Sequence, residues 1–156
     1  NDQYSNVIHD NDRQVKAFIE WIQAQPFYEN TTVVIVGDHL TMDSDFFDND
    51  DPNYQRTVYN AFLNTTQTAS RVTDRQATAL DLFPTTLAAL NVTIEGERLG
   101  LGTNLFSAKP TLAEELGFDS FYTELTKRST FYAEKLMQGT DDEIYKQREA
   151  EKEAEE

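Results

Sequence analysis

The sequence contains no cysteine, and this absence excludes several kinds of chemistry at once. Disulfide frameworks, zinc–thiolate sites and thiol nucleophiles all require cysteine, so none of them operates within these 156 residues. The absence of cysteine does not identify the redox compartment in which the protein works.

Positive charge is scarce. The chain has 13 lysine and arginine residues against 28 aspartate and glutamate residues, which gives a formal net charge of −15. Such a surface does not neutralise phosphates, so we expect no nucleic-acid partner. For the same reason we expect no contact between this segment and an anionic membrane. A phosphate-bearing substrate stays compatible with this charge where a metal ion supplies positive charge locally.

Long hydrophobic runs are also missing. No segment is long enough to span a bilayer, and no signal peptide is recognisable. The chain begins at Asn1 rather than at a methionine, so we expect it to be a piece of a longer protein whose targeting segments lie elsewhere. A chain of this length buries roughly 70% of its unfolded surface, which suits one domain or part of a larger one.

One apolar, β-branched run, residues 31–36, is followed by Gly37, Asp38 and His39. A run without polar alternation is typical of a strand buried on both faces of a parallel α/β sheet. We expect Gly37 to let the chain leave the strand in an unusual backbone conformation. Asp38 and His39 then lie at the carboxyl end, where open α/β sheets place ligands. A carboxylate beside an imidazole is half of a divalent metal site. The alternative is an ordinary turn that Asp38 caps.

The residues before this strand predict a helix that ends at Pro26. Its apolar stripe consists of Ile8, Val15, Phe18, Ile19 and Ile22. A helix, a short loop and a buried strand form half of a parallel α/β unit. His9 is expected near the start of this helix, either helix-terminal or partly exposed. Asp12 and Arg13 are expected on a solvated face or in a local ion pair of little energetic value. A second strand is predicted over residues 58–63.

An acidic loop, residues 41–52, separates the two predicted strands. Its five aspartates are Asp43, Asp45, Asp48, Asp50 and Asp51. We expect a solvated loop in which Phe46 and Phe47 anchor the chain or touch a substrate, because loops at strand ends commonly form sites. Arg56 and Arg71 have the charge to approach an anionic substrate, but their positions alone do not assign them to a site.

The second half of the sequence predicts short helices and turns. Asp81 is expected to be the N-cap of a helix that runs to Asn91, with Pro84 in its first turn. Its apolar contacts are expected from Leu82, Leu87 and Leu90. The glycine-rich segment 96–104 matches neither a P-loop nor a dinucleotide fingerprint, so it predicts turns. The pattern is helical from Thr111, and the charged residues 141–156 predict an exposed helix end or a disordered tail.

In this order, the segments resemble the C-terminal part of the sulfatase-like phosphoglycerol transferases, including lipoteichoic acid synthases, of the alkaline phosphatase superfamily. The resemblance covers roughly residues 4–107. It rests on the strand with Gly37-Asp38-His39, the Asp-x-x-Pro-Thr helix from Asp81, and the glycine-rich segment that ends Asn104-Leu105-Phe106. It implies part of a three-layer α/β/α catalytic domain over residues 1–107, followed by a helical, highly charged extension over residues 108–156.

The resemblance also implies an activity. Such enzymes are bacterial and membrane-anchored, with an extracytoplasmic catalytic domain. They move glycerol phosphate from the head group of a phosphatidylglycerol-type donor lipid to a glycan or polymer acceptor. A threonine nucleophile forms a covalent intermediate. A divalent ion, usually Mn²⁺, is held by that threonine, an acidic residue and an Asp-His pair, which Asp38 and His39 match.

The family's nucleophilic threonine and its first acidic ligand lie on segments that this sequence does not contain. We therefore expect the chain alone to be inactive and to bind metal weakly or not at all. Leu40 stands where relatives often have glycine, which we interpret as a difference between subfamilies.

Two other functions remain open. One is a hydrolase of the same superfamily, a sulfatase or a phosphatase. Sulfatases often have Asp-Asn at this point and use calcium, so the Asp38-His39 pair favours phosphoryl chemistry. The other is a non-catalytic α/β module. A parallel sheet without its first strands would expose an unpaired edge, so we also expect self-association.

Overall fold

The computed structural model describes residues 3–42, 46 and 53–137. The protein is a mixed α/β structure with two small antiparallel sheets and a helical C-terminal part, which confirms the predicted α/β class and helical tail. It forms two compact units, Asn1–Glu115 and Leu116–Glu156. The predicted tail 141–156 and most of the acidic loop lie outside the described residues. The predicted division into 1–107 and 108–156 stays a prediction.

The elements follow one another along the chain. The first unit contains α1 (Gln3–Gln23), a 3₁₀ turn (Pro26–Asn30), β1 (Val33–Val36), β2 (Asn60–Leu63), α2 (Ala79–Ala89), a 3₁₀ turn (Glu95–Glu97), β3 (Arg98–Leu99) and β4 (Gly102–Thr103). Helix α3 (Leu112–Leu116) ends at the first residue of the second unit, which contains α4 (Phe118–Leu125) and a π-helical turn (Tyr132–Met137). None of the helices in the described ranges combines the length and apolar character that a bilayer crossing needs.

Helix α1 confirms the helix predicted from the apolar stripe. It ends before Pro26, and Gln25 takes the extended conformation that a following proline imposes. Within the stripe Ile22 is buried, whereas Ile8 and Val15 are each 46% exposed. Arg13 forms a local ion pair with Asp10 at 2.5 Å, which is one of the two predicted alternatives for this residue. The partner is Asp10 because residues three apart on a helix face each other.

Strands β1 and β2 confirm the two predicted strands, but their pairing differs from the prediction. They are antiparallel, with Val33 opposite Leu63 and Val36 opposite Asn60. Neither sheet contains a parallel pair within the described residues. Strand β1 is also not buried on both faces, because its side chains are half-buried and Val36 is 45% exposed. The apolar run predicted the strand correctly, but the predictions of a parallel sheet and of burial on both faces were wrong.

Helix α2 begins three residues earlier than predicted. Thr78, not Asp81, is its N-cap, and Asp81 is the third helical residue of a capping box. The Thr78 N–H donates to Asp81 Oδ2 at 2.8 Å. Pro84 therefore lies in the second turn, where it removes the N–H that would otherwise bond to the Leu80 carbonyl. That carbonyl instead packs against Gly102, where an added Cβ would lie only 1.9 Å from the Leu80 oxygen.

Polar side chains hold α2 to the chain that follows it. Asp81 is 2% exposed, and its Oδ1 accepts the Thr103 N–H at 2.7 Å. The Thr85 hydroxyl donates to the Asp81 carbonyl at 2.6 Å and accepts the Leu105 N–H at 3.0 Å. Every buried side-chain nitrogen or oxygen in the described part of the chain has a hydrogen-bond partner. These bonds offset the desolvation cost of a core built from small and polar residues.

The glycine-rich segment forms turns, as predicted. Strands β3 and β4 pair as a short antiparallel hairpin joined by Gly100 and Leu101. The leucines predicted to pack from α2 contribute less than expected, because Leu90 is 58% exposed. The fully buried positions of α2 are instead Asp81, Pro84, Thr85, Ala88 and Ala89.

Glu114 joins α3 to the segment before α2. Its Oε1 accepts hydrogen bonds from Arg71 and, at 3.0 Å, from Arg75 Nε. Its Oε2 accepts the Thr111 N–H at 2.8 Å, which satisfies a free donor at the start of α3. The side chains of Arg75 and Glu114 are only 10% and 13% exposed. Arg75 also donates to the carbonyls of Ser107 and Lys109 at 3.0 and 2.9 Å.

We expect Glu114→Gln to destabilise the protein in a pH-dependent way. Partial burial acts to raise the pKa of Glu114, but the Thr111 N–H, Arg75 and further donors outweigh it, and the net pKa is lowered. A lowered folded-state pKa stabilises the protein above the unfolded pKa, and this stabilisation is lost as the pH falls through the folded pKa. Glu114→Gln should therefore cost about 1–2 kcal/mol at neutral pH and progressively less in acid.

Urea unfolding of wild type and Glu114→Gln across the acidic to neutral range measures this effect. The matched control is Glu95→Gln, because Glu95 is an exposed glutamate in the same unit. Parallel pH curves for wild type and Glu114→Gln would contradict the assignment.

Candidate metal-binding site

Gly37 follows β1 directly and continues its pairing with the chain before β2. Its N–H donates to the Tyr59 carbonyl at 2.8 Å. The prediction of an unusual conformation was wrong, because the positive-φ glycines of the described chain are Gly96, Gly100 and Gly117. Gly37 serves close approach instead: a Cβ there would lie 3.3 Å from Val58 Cβ.

Asp38 and His39 bring their side chains together at the end of β1. Asp38 Oδ2 lies 3.5 Å from His39 Nε2, and Asp38 Oδ1 accepts the His39 N–H at 2.9 Å. His39 Nδ1 lies 2.7 Å from the carbonyl oxygen of Leu40. A carbonyl only accepts, so Nδ1 holds the proton in the neutral ring and Nε2 presents its lone pair. The two atoms left to bind a cation are therefore Asp38 Oδ2 and His39 Nε2.

This pair fits a divalent cation in both geometry and donor type. Two ligands each about 2.1 Å from one ion are about 3.0–3.4 Å apart in octahedral or tetrahedral geometry. The observed separation of 3.5 Å is close to that range, and the two side chains are 88% and 59% exposed. No group of three histidine, aspartate or glutamate residues that could hold a metal gathers in ranges 3–42, 46 and 53–137. Asp38 and His39 thus form half a site, and their role as ligands stays a prediction.

A largely apolar groove of about 970 Å³ begins beside His39. Helix α1 forms one wall. Strand β1, the residues after it and the residues before β2 form the other. Its apolar lining includes Ile8, Val15, Ile19, Ile35, Leu40 and Val58. His39, Thr41 and Arg56 line the same groove. An anionic group bound at the Asp38–His39 pair would therefore have an apolar channel next to it.

Thr41 connects the loop after the metal pair to both walls of this groove. The Tyr4 hydroxyl, on α1, donates to Thr41 Oγ1, and Arg56 Nη2 donates to the Thr41 carbonyl at 2.7 Å. The Tyr4 ring packs edge-on against Phe46, with 4.7 Å between ring centroids. Sequence reasoning missed Tyr4 and Thr41, because nothing in the spacing relates residues that lie 37 positions apart.

The remaining candidates fall in different places. His9 is exposed on α1, as predicted. Arg71 is bonded to Glu114, far along the chain from the Asp38–His39 pair, whereas Arg56 and Phe46 line the groove. Phe47 and the five aspartates of the acidic loop lie outside the described residues.

A family model described as Sulfatase matches residues 1–92. The match covers more than half of the sequence, so the chain belongs to the sulfatase family, within the alkaline phosphatase superfamily. This family comprises enzymes of the hydrolase and transferase type, which generally use a divalent metal. Comparison with curated proteins and with solved structures gave no match.

Proposed function

We propose that the protein is a metal-dependent phosphoglycerol transferase of the sulfatase family. It would move glycerol phosphate from a phosphatidylglycerol-type lipid to a cell-envelope glycan or polymer, as an extracytoplasmic domain of a bacterial membrane-anchored protein. Asp38 and His39 would provide two ligands to a divalent ion, with Mn²⁺ preferred. The observation that supports this is the 3.5 Å approach of Asp38 Oδ2 to His39 Nε2, with the ring anchored at Leu40.

The pair suits the proposed chemistry. When bound, a divalent ion polarises phosphoryl oxygens and stabilises the charge that develops in an in-line displacement. One carboxylate and one imidazole form a donor set that suits Mn²⁺. The backbone N–H of His39 anchors the carboxylate, and the Leu40 carbonyl anchors the ring, so both ligand atoms are preorganised. The proposal places the threonine nucleophile and the other ligands upstream of Asn1.

A sulfatase is the second candidate, because the family match is equally consistent with sulfate ester hydrolysis. The sequence Asp38-His39, in place of the Asp-Asn that sulfatases often have, supports the transferase. The two reactions differ in their product. Transfer from phosphatidylglycerol releases diacylglycerol, whereas sulfatase activity releases sulfate from an aryl sulfate.

We expect the complete gene product to release diacylglycerol from fluorescent phosphatidylglycerol in a Mn²⁺-dependent way. Asp38→Ala should lower this activity by more than about 100-fold, because loss of even an indirect partner of a metal ligand costs 10–100-fold. We expect the same loss for His39→Ala. Its matched control is His9→Ala, since the chain has two histidines and His9 is exposed on α1. Sulfate release from an aryl sulfate without diacylglycerol release would establish the sulfatase instead.

A further inference from the structure

We propose that Tyr4 and Arg56 are positioning residues for the Asp38–His39 pair and act through Thr41. We call these three residues the Thr41 clasp. The effect of the clasp on metal binding rests on the proposed function. Its effect on the His39 ring does not. The clasp would fix the direction of the Leu40 carbonyl and so keep the proton of His39 on Nδ1.

The hydrogen bonds of the clasp join residues far apart in sequence, whereas those of Asp38 and His39 join neighbours. Asp38 and His39 bond to each other and to Leu40, all within adjacent positions. The bonds to Thr41 come from 37 and 15 positions away, one from α1 and one from the chain before β2. The local bonds relate the two ligands to each other. The long-range bonds hold the turn between the two walls of the groove.

The residues of the clasp are also less exposed to solvent than the two proposed ligands. Asp38 and His39 are exposed, whereas Tyr4, Thr41 and Arg56 are half-buried. Tyr4 is itself held by the edge-on contact with the Phe46 ring. The two proposed ligands are therefore exposed to solvent, whereas Thr41, two residues further along the chain, is better packed.

Peptide planarity transmits the position of Thr41 to His39. The Leu40 carbonyl belongs to the planar peptide group that joins Leu40 to Thr41. Holding Thr41 at both its hydroxyl and its carbonyl limits rotation of that group, so the Leu40 oxygen stays 2.7 Å from His39 Nδ1. If the group rotates, Nδ1 loses its acceptor. The proton is then shared between the two ring nitrogens, and Nε2 presents a lone pair for only part of the time.

The tautomer of His39 tests the clasp without any metal. We expect ¹⁵N NMR of the metal-free chain at alkaline pH to show mainly Nδ1–H for wild-type His39. Tyr4→Phe removes one hydroxyl, and Arg56→Gln removes the guanidinium; each should shift His39 toward the mixture shown by exposed His9 in the same spectrum. Tyr59→Phe is the matched control, because Tyr59 also lines the groove.

A titration with Mn²⁺ alone provides the second readout. Wild-type His39 signals should broaden with an affinity of about 1 mM, as expected of a site with few ligands. The affinity should fall about 10-fold in Tyr4→Phe and in Arg56→Gln, a typical loss for an indirect partner of a ligand.

The two failures are distinguishable. An unchanged Nδ1–H population in both variants would overturn the clasp, whatever the Mn²⁺ result. A tautomer shift in the variants, together with sulfate release and no diacylglycerol release by the complete gene product, would support the clasp and count against the proposed function. If Arg56→Gln disrupts the fold, as judged by circular dichroism, the single-oxygen deletion Tyr4→Phe still decides the outcome.

Discussion

Gly102→Ala is expected to disrupt the packing of α2 against the β3–β4 hairpin. The new Cβ would lie 1.9 Å from the Leu80 carbonyl oxygen, 2.7 Å from its carbon and 3.0 Å from Pro84 Cγ. The clashing atoms belong mainly to backbone, so no side-chain rotation relieves them and the helix must move away from the hairpin. We expect a loss of more than about 4 kcal/mol in the free energy of unfolding, measured by urea denaturation.

The hairpin itself provides the control. Gly100 has φ of 61°, and a Cβ at that position meets no atom within 4 Å. Gly100→Ala therefore introduces only backbone strain, which costs about 1 kcal/mol. If Gly102→Ala is no more destabilising than Gly100→Ala, the close contact between Leu80 and Gly102 is wrong.

Asp81→Ala should have the second largest effect. Asp81 is 2% exposed and accepts the N–H groups of Thr78 and Thr103 at 2.8 and 2.7 Å. Removing the carboxylate leaves the buried Thr103 N–H and the half-buried Thr78 N–H without their acceptor, and it opens a cavity. We expect the free energy of unfolding to fall by about 3–5 kcal/mol, measured by chemical denaturation at neutral pH.

Asp81→Asn separates the two contributions. It keeps the volume but turns one acceptor into a donor that faces another donor, so it should remain clearly destabilising. Asp10→Ala is the control, because Asp10 bonds to Arg13 on the exposed surface of α1 and should contribute little. Similar losses for Asp81→Ala and Asp10→Ala would contradict the structural role given to Asp81.

Local pattern was sufficient to predict the elements that position the site. The spacing of apolar residues predicted α1, and the β-branched run predicted β1 and the position of Asp38 and His39 at its end. Adjacent residues after a strand are necessarily close, so their meeting needed no tertiary information. The orientation of β2 beside β1 did need it, because an apolar run does not encode the direction of its partner strand.

The mistaken N-cap has a similar cause. Thr78 and Asp81 are both residue types that cap helices. Asp81 could therefore be the N-cap, or it could be the third helical residue of a capping box in which Thr78 is the N-cap. The choice depends on Thr103, whose N–H binds the second carboxylate oxygen of Asp81. That partner lies 22 positions away, so no local rule identifies it.

The structure also separates the three motifs that suggested the family. The Asp-x-x-Pro-Thr helix and the glycine-rich segment hold each other, through Asp81 with Thr103 and Thr85 with Leu105. The polar residues of these two motifs therefore stabilise the fold. Of the three motifs, Gly37-Asp38-His39 is the one whose polar side chains are exposed and meet within a single turn, which makes it the candidate for chemistry.

The bonds between α2 and the segment after it have a consequence for the order of folding. They join residues only 20 and 22 positions apart, whereas Tyr4 and Thr41 are 37 apart. Closing a shorter loop costs less conformational entropy, and contacts between near neighbours in sequence form sooner. The α2–hairpin region is therefore suited to act as an early nucleus, on which the slower association of α1 with the strand region follows.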